Sequence, residues 1–408
     1  MSTGLFIFRR DLRAVDNTGL LELSKICEKV FCIFILDPRQ INKKANPYFS
    51  ANAVSFMLES IKELSQTIPL SILHGSPEQV VEQLIKPGKI NVIGFNKDYT
   101  PYSVERDNKM IEVAAKYNVQ VLACDDVCLN PPTAIKPYKV YTPYYITASK
   151  IPVRKPDDTK VTNVIKLPIS GVRATIPETT AERQKGGRSY GLQCMKDFDC
   201  KSYSKRDMLT YESSRLSPHL KFGTVSCREV YYACKLELFR KQLYWRDFYL
   251  QIVYHFPAVV GNNFKGNIKW KNSQTLFKKW CAGKTGYDIV DACMTQLNKT
   301  GYMHNRGRMI VANFLTKILH IDWRWGEQYF ASKLTDSDVA NNNGGWQWSA
   351  GTGVDAQPYF RIFNPYTQQE KFDPTGEYVK KWLGDRKKIK EIVDYETERI
   401  EALKLVKH

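Results

Sequence analysis

The sequence predicts an α/β domain followed by an all-α domain, with a long irregular linker between them. Up to about residue 125, short apolar runs alternate with stretches of helical spacing; a proline-rich segment follows, and all eight tryptophans lie from Trp245 onward. A chain of 408 residues exceeds the usual size of one globular domain, so two cores are expected. We place the boundaries at residues 1–125, 126–200 and 201–408.

The first domain is predicted from five apolar runs rich in β-formers, at residues 4–8, 30–36, 70–73, 90–95 and 119–122. Their regular alternation with helical stretches is typical of βαβ units, and it predicts a five-stranded parallel sheet of Rossmann-like type. A phosphate-binding loop is not recognisable: no G-x-G-x-x-G follows the first run, and Gly283-Lys284-Thr285 lacks the upstream glycine of a P-loop. We therefore do not infer a nucleotide site in this domain from the sequence.

The segment 126–200 contains eight prolines and the pair Gly186-Gly187, and it has little periodicity. This composition indicates an interdomain connection. Because it is so long, we expect it to wrap over the surface, to carry function or to be partly mobile.

The last domain has helix-compatible segments at residues 228–256, 275–280, 288–297 and 309–319, and a charged, helix-compatible stretch from Trp382 to His408. Any one of its tryptophans is best explained as core packing. Together they also suit a site that stacks a flavin or a flipped base, or that passes electrons between indoles.

The composition of the chain indicates which binding partner, cellular compartment and cysteine chemistry to expect. The chain has 60 Lys and Arg against 42 Asp and Glu, a formal charge of +18, which favours nucleic acid as the partner. We find no signal peptide, transit segment or membrane span, and we expect a cytoplasmic or nuclear protein. The ten cysteines lack metal-binding spacing, so we predict no metal site and reduced thiols without a disulfide framework.

The most specific signal lies between residues 323 and 372. It contains the strings TDSD at 335–338, NNNGGWQW at 341–348 and DAQPYFRIFNP at 355–365. In physical terms these are an acidic pair, a polar turn whose glycines permit close approach to a planar ligand, and a rigid aromatic platform.

These strings resemble the flavin-binding motifs of the photolyase/cryptochrome family. The resemblance extends over essentially the whole chain: it includes FRRDLR at 8–13, SSRLSPHLKFG at 213–223, WRDFY at 245–249, GYDIVDA at 286–292 and MHNR at 303–306. It implies a helical domain that binds FAD.

Carried over position by position, the resemblance implies a set of cofactor-binding residues. They are Tyr203, Ser213, Ser214, Leu216, Ser217, Arg246, Asn305, Arg308, Asp336, Asp338 and Asn342. Hydroxyls and backbone N–H groups of the first five would hold the phosphates and ribityl chain. Arg308 and Asp336 would lie beside the isoalloxazine ring, and Asn342 would face the N5 position of that ring. The alternative for Arg308 and Asp336 is an ordinary structural ion pair.

The resemblance also implies residues for the substrate and for electron transfer. Damaged DNA would contact Gln242, Trp245, Asn305, Met309 and Trp348. Trp346, Trp323 and Trp270 match the family's electron-transfer triad, while Asn342 and Gln242 would take part in catalysis at the flavin and the lesion.

Several positions favour a class I photolyase for cyclobutane pyrimidine dimers. Asn342 stands where plant cryptochromes have Asp and animal cryptochromes have Cys, and an amide there favours the fully reduced anionic flavin. Asn305 and Met309 occupy positions where (6-4) photolyases have two histidines for proton transfer. Gln242 argues against this class, because related dimer-repairing enzymes have Glu at this position and the (6-4) branch has Gln.

The expected activity is therefore light-dependent repair of cyclobutane dimers by electron transfer from photoexcited FADH⁻ to a flipped-out dimer, in a monomeric enzyme. The alternatives are a blue-light photoreceptor without repair and a (6-4) or DASH-type photolyase. Residues 96–99 and 105–107 lie where family members often contact an antenna pigment, and the sequence leaves open a folate, a deazaflavin or none.

Overall fold

A parallel sheet forms the first domain, as the five runs predict. Its strands lie in the order β3-β2-β1-β4-β5. They are β1 (Thr3–Phe8), β2 (Lys29–Leu36), β3 (Leu70–His74), β4 (Val92–Asn96) and β5 (Gln120–Cys124). Each begins and ends within two residues of its predicted run, so the fold class is confirmed. The computed structural model describes residues 2–169, 171–172, 177–180 and 182–404.

Helices cover both faces of the sheet. They are α1 (Thr18–Ile26), α2 (Pro38–Ile41), α3 (Ala51–Thr67), α4 (Pro77–Ile85) and α5 (Pro101–Lys116). Successive side chains of β1 point to opposite faces, as the period of two requires: Phe6 and Phe8 enter one apolar cluster, and Leu5 and Ile7 enter the other. Burial of both faces explains why the strands read as continuous apolar runs.

The linker contains more regular structure than its composition suggests. It forms α6 (Tyr141–Ala148), a sixth short strand β6 (Val164–Ile165) and α7 (Arg188–Asp197). The strand β6 pairs in parallel with β2, and it lay outside the predicted five. Tyr141 and Tyr144 of α6 enter an apolar cluster of the helical domain, so this part of the linker packs against the rest of the protein.

The second domain is helical. Its elements are α8 (Ser217–Phe222), α9 (Cys227–Ala233), α10 (Glu237–His255), α11 (Gln274–Cys281), α12 (Asp288–Thr300), α13 (Asn305–Lys317), α14 (Trp323–Lys333), α15 (Val339–Ala350), α16 (Pro365–Phe372), α17 (Glu377–Leu383) and α18 (Tyr395–Lys404). The predicted segment 228–256 is divided because Cys234 and Leu236 are extended. Of the stretch predicted up to His408, residues 405–408 lie outside the described part.

The two domains are joined by buried charges and by close backbone contact. Arg228 of α9 binds Asp16 at 2.9 Å and Asp126 at 2.7 Å, and both carboxylates belong to the first 126 residues. Gly223 ends α8 with a φ of +64°, and a Cβ there would lie 2.1 Å from the Arg10 carbonyl oxygen. Only glycine permits this approach.

One prediction about the cysteines is wrong. Cys200 and Cys234 form a disulfide, with their Cα atoms 6.0 Å apart, a separation in the usual range for such a bond. The end of the linker folds back onto the break between α9 and α10, and a sequence separation of 34 residues gives no sign of this. The other eight cysteines are free thiols.

The described residues include neither a membrane-spanning helix nor a cluster of metal ligands. Within them, no helix is long and apolar enough to cross a membrane. The same residues contain no group of three or more His, Cys, Asp or Glu side chains that could hold a metal ion.

Candidate active site

A cavity of about 590 Å³ opens in the helical domain, and its volume is typical of cofactor and ligand sites. All but three of the predicted site residues line it. The predicted residues in its wall are Tyr203, Ser214, Leu216, Ser217, Gln242, Trp245, Arg246, Asn305, Arg308, Met309, Asp336, Asp338, Asn342, Trp346 and Trp348. Positions far apart in sequence thus converge because α8, α10, α13 and α15 surround one space.

The three predicted residues outside the cavity have other surroundings. Ser213 shares a hydrogen bond of 2.8 Å with the Tyr302 hydroxyl. Trp323 is fully buried, and its indole N–H donates to Asn263 at 2.8 Å. Trp270 is partly buried and packs against the same apolar cluster as Trp323.

An ion pair forms one wall. Arg308 of α13 binds Asp336 at 2.8 Å, and its Nε donates to the Met303 carbonyl oxygen at 2.9 Å. Burial alone would raise the pKa of Asp336, but the charge of Arg308 and hydrogen bonds from Arg308 and Ser217 hold that pKa below its usual value. Asp336 is therefore ionised and fixes the guanidinium beside the cavity.

Asp338 caps the helix that carries the aromatic platform. Its carboxylate accepts hydrogen bonds from the backbone N–H of Asn341 at 3.1 Å and from the Asn341 side chain at 2.9 Å. It also pairs with Arg10 of the first domain. Although burial would raise the pKa of Asp338, the charges of Arg10 and Arg246 hold it well below the usual range.

Asn342 is held by the neighbouring helix. Its side-chain N–H donates to the Glu327 carbonyl oxygen of α14 at 3.0 Å, which fixes the rotation of the amide. The Glu327 side chain accepts from Asn343 at 3.3 Å, and burial raises its pKa to about 7. The buried, titratable carboxyl of Glu327 thus contacts Asn343, the residue that follows Asn342 on α15.

Aromatic and soft side chains form the wall predicted for the substrate. Gln242 and Trp245 lie one turn apart on α10, and Asn305 and Met309 lie one turn apart on α13, with 3.8 Å between the Asn305 amide nitrogen and the Met309 sulfur. Asn305 is exposed. It therefore marks the mouth of the cavity.

The sequence interpretation did not single out some residues of the walls. Lys221, Tyr249 and Phe330 line the cavity as well. Tyr249 follows Trp245 by four residues on α10, so helical spacing could have indicated it. Burial lowers the pKa of Lys221 to about 8, and its ammonium group approaches the Thr335 carbonyl oxygen at 3.4 Å.

The residues present fit FAD. The buried indole N–H of Trp346 finds no hydrogen-bond partner among the described residues, and this side chain lines the cavity. A Cβ on Gly345 would meet no atom within 4 Å, which leaves room for a flat ligand. The Ser214 hydroxyl and the Lys221 ammonium group suit phosphates, and the aromatic walls suit a ring system.

Two family models match the chain. The DNA photolyase model covers residues 5–160, and the model for the FAD-binding domain of DNA photolyase covers residues 239–406. Together with the fold and the cavity, they define a two-domain flavoprotein.

Curated relatives and solved structures agree. Deoxyribodipyrimidine photo-lyases of Synechococcus and Halobacterium salinarum are 33% and 34% identical, over 94% of this chain and 88% and 90% of theirs. An archaeal photolyase from Sulfolobus tokodaii, solved with two FAD molecules, is 38% identical with a TM-score of 0.92, and 99% of each chain is covered. A class III photolyase from Agrobacterium tumefaciens is 28% identical with a TM-score of 0.91, over 99% of this chain and 97% of that one.

The chain belongs to the DNA photolyase family. It is a flavin-dependent lyase of DNA repair, as the motifs of the helical domain led us to expect. A cryptochrome from Synechocystis has the same fold, with a TM-score of 0.89 at 25% identity, over 99% of each chain.

Proposed function

We propose that the chain repairs cyclobutane pyrimidine dimers in DNA, acting as a monomer on a dimer flipped into the cavity. The observation that carries this proposal is the convergence of Trp245, Trp348, Asn305 and Met309 with the Arg308–Asp336 pair around one space. One end of the cavity suits a flavin and the mouth suits a lesion. When bound, fully reduced FAD supplies the electron that light drives into the dimer.

The cofactor would be held mainly by polar side chains on two walls. Tyr203, Ser214 and Ser217 would bind its phosphates and ribityl chain, and Arg308 would lie beside the ring system. Because Asp336 is ionised, it keeps the guanidinium in place and balances its charge. The Asn342 amide, fixed by the Glu327 carbonyl oxygen, would hydrogen-bond the N5 edge.

Dimer recognition would combine stacking with selective flipping. A dimer is poorly stacked and paired, so extruding it costs less than extruding normal bases, and the damage itself supplies selectivity. Trp245 and Trp348 would flank the flipped dimer, and each base-aromatic stack contributes about 1–3 kcal/mol. Lys and Arg around the mouth would bind phosphates, giving salt-dependent affinity with little sequence preference.

The side chains next to the lesion support the dimer over the (6-4) photoproduct. Splitting a cyclobutane dimer needs an electron that returns, whereas the (6-4) product also needs proton transfer. Asn305 and Met309 supply an amide and a thioether, neither of which acts as an acid or a base near neutral pH. Gln242 can hydrogen-bond the paired bases without a charge, and Gln242→Glu is expected to raise the yield of splitting.

A separate route would reduce the flavin through three indoles. Trp346 lines the cavity, Trp323 is fully buried and Trp270 is partly exposed, and all three belong to or pack against one apolar cluster. This shared cluster supports electron entry by hopping. The family's antenna pigment would be an addition to this scheme, and a folate and a deazaflavin are both compatible with it.

The decisive experiment is blue-light repair by the purified, reduced protein. The substrates are a duplex with one thymine cyclobutane dimer, the same sequence as a single strand, and a duplex with a (6-4) photoproduct, each with a dark control. We expect loss of the dimer from the duplex in light alone. Repair confined to the single strand would indicate a DASH-type enzyme, repair of the (6-4) product alone would indicate that branch, and no repair would indicate a photoreceptor.

Lesion contact is tested with Trp245→Ala. Its affinity for the dimer duplex should fall by about 5- to 150-fold, as expected for loss of one base-aromatic stack. The matched control is Trp382→Ala, because Trp382 is partly buried against the core and does not belong to the cavity wall. Equal loss of affinity in both variants would remove Trp245 from the lesion site.

A further inference from the structure

The ring of Tyr141 lies flat against the ring of Trp245. The two centroids are 3.7 Å apart and the planes are inclined by 7°. Tyr141 is 8% exposed and does not belong to the cavity wall, whereas Trp245 does. Tyr141 therefore covers one face of the indole from behind and leaves the cavity side to other contacts.

Polar groups fix Tyr141 on two sides. Its hydroxyl donates to the Lys241 carbonyl oxygen of α10 at 2.8 Å, and its backbone N–H donates to the Asp355 carboxylate at 3.2 Å. Lys241 precedes Trp245 by four residues, so its carbonyl is the one that an α-helix pairs with the Trp245 amide. Asp355 follows α15, the helix that carries Trp348. Tyr141 thus ties the linker to both walls of the substrate mouth.

Other rings prevent the stack from moving. Phe248 meets Tyr141 edge-on at 5.7 Å and Trp245 edge-on at 5.5 Å, and Tyr249 lies 5.6 Å from Trp245. An indole confined in this way keeps one orientation before substrate arrives. Binding then loses less side-chain entropy than it would with a free indole.

We propose that Tyr141 is a positioning residue for lesion recognition: it holds the Trp245 indole in the orientation that stacks on the flipped dimer. The inference rests on the proposed function, since it requires that Trp245 contact the lesion. It assigns the linker helix α6 a part in substrate selection, which no motif of the sequence indicates.

The test compares Tyr141→Met with Tyr141→Phe in the full-length, FAD-loaded protein. Methionine fills the space without a stacking ring, whereas phenylalanine keeps the ring and loses the hydroxyl. We measure dissociation constants for the dimer duplex and for the undamaged duplex. The Met variant should lose preference for the lesion by about 2- to 12-fold, the contribution of one aromatic pair, and the Phe variant should stay within about 2-fold of the wild type.

A control and a double variant separate positioning from general stability. Tyr144→Met changes another buried tyrosine of α6, whose ring pairs with Phe248 at 5.4 Å. It should lower the unfolding midpoint without changing lesion preference. In the Trp245→Ala background the effect of Tyr141→Met should disappear, because coupled residues are not additive.

Each outcome decides something different. If Trp245→Ala leaves lesion preference intact, the stacking assigned under the proposed function is wrong, whatever Tyr141 does. If Trp245→Ala lowers the preference but Tyr141→Met does not, or if Tyr141→Met still acts in the Trp245→Ala background, the positioning role is refuted. If Tyr141→Met fails to retain FAD, Tyr141→Leu is measured in its place. A Tyr141→Phe variant that loses as much lesion preference as the Met or Leu variant would also refute the role of the ring.

Discussion

Removing the Cys200–Cys234 disulfide should destabilise the helical domain and loosen its flavin site. The bond closes a loop of 34 residues, and this loop contains Tyr203, Ser214 and Ser217 of the polar wall. In the chain-entropy description, a loop of that length stabilises the folded state by about 4 kcal/mol. For a domain of this size, that corresponds to a fall in melting temperature of about 8–16 °C.

The assay is thermal and guanidinium unfolding of FAD-loaded protein, comparing the oxidised wild type with the double variant Cys200→Ser/Cys234→Ser. Cys194→Ser is the matched control, since Cys194 is a half-buried free thiol that packs in the same apolar cluster. The rate of FAD loss after dilution, followed by flavin fluorescence, reports on the loop itself. We expect faster loss in the double variant and in wild type treated with a dithiol reductant.

The reasoning is refuted if the double variant unfolds within about 1 kcal/mol of the wild type, because no entropic restraint would then have been lost. Titration of eight thiols in the unfolded, unreduced wild type is expected, and ten would show that the bond does not form.

Three further predictions concern the site. Asp336→Asn leaves the Arg308 guanidinium without its charged partner, and it should lower the free energy of unfolding by about 3 kcal/mol and weaken FAD binding, as measured by denaturation and flavin titration. The control Glu401→Gln removes an exposed ion pair and should cost less than about 1 kcal/mol. Equal effects of the two variants would contradict the role assigned to the buried pair. The raised pKa of Glu327, about 7 against an ordinary value of 4.5, means that the folded state holds this proton more tightly. The contribution of Glu327 to the free energy of unfolding is therefore fully present below pH 4.5, and up to about 3 kcal/mol of it is lost as pH rises to about 7. Glu327→Gln should flatten the dependence of stability on pH in this range, and an unchanged slope would argue against the raised pKa. Trp346→Phe should slow photoreduction of oxidised flavin in flash spectroscopy and leave repair by prereduced enzyme largely intact, and fast photoreduction in that variant would exclude Trp346 from the electron route.

Sequence patterns predicted what depends on local periodicity. The five strands follow from apolar runs because both faces of a parallel sheet are buried. The cavity followed from motifs, since the string at 341–348 supplies Asn342, Trp346 and Trp348 within two turns of α15.

What the patterns missed depends on tertiary contacts. The segment 228–256 contains no glycine or proline, yet it is divided near Cys234, where the disulfide and the capping box of Ser226 and Glu229 fix a separate short helix. The strand β6 is only two residues long, and its pairing with β2 gives no periodic signal. Tyr141 has no motif at all, because its role follows from the ring it meets on α10.

The position of α15 depends on a contact with the first domain that sequence patterns do not reveal. Arg10 follows β1, and Asp98 follows the neighbouring strand β4, so both lie at the carboxyl edge of the sheet where its strand order reverses. In open α/β sheets this edge is the usual place for ligands. Here Arg10 approaches Asp98 at 3.3 Å and pairs with Asp338, 328 residues away, at the start of α15. The edge of the first domain therefore anchors the helix that carries Asn342, and no pattern within a single segment could contain that information.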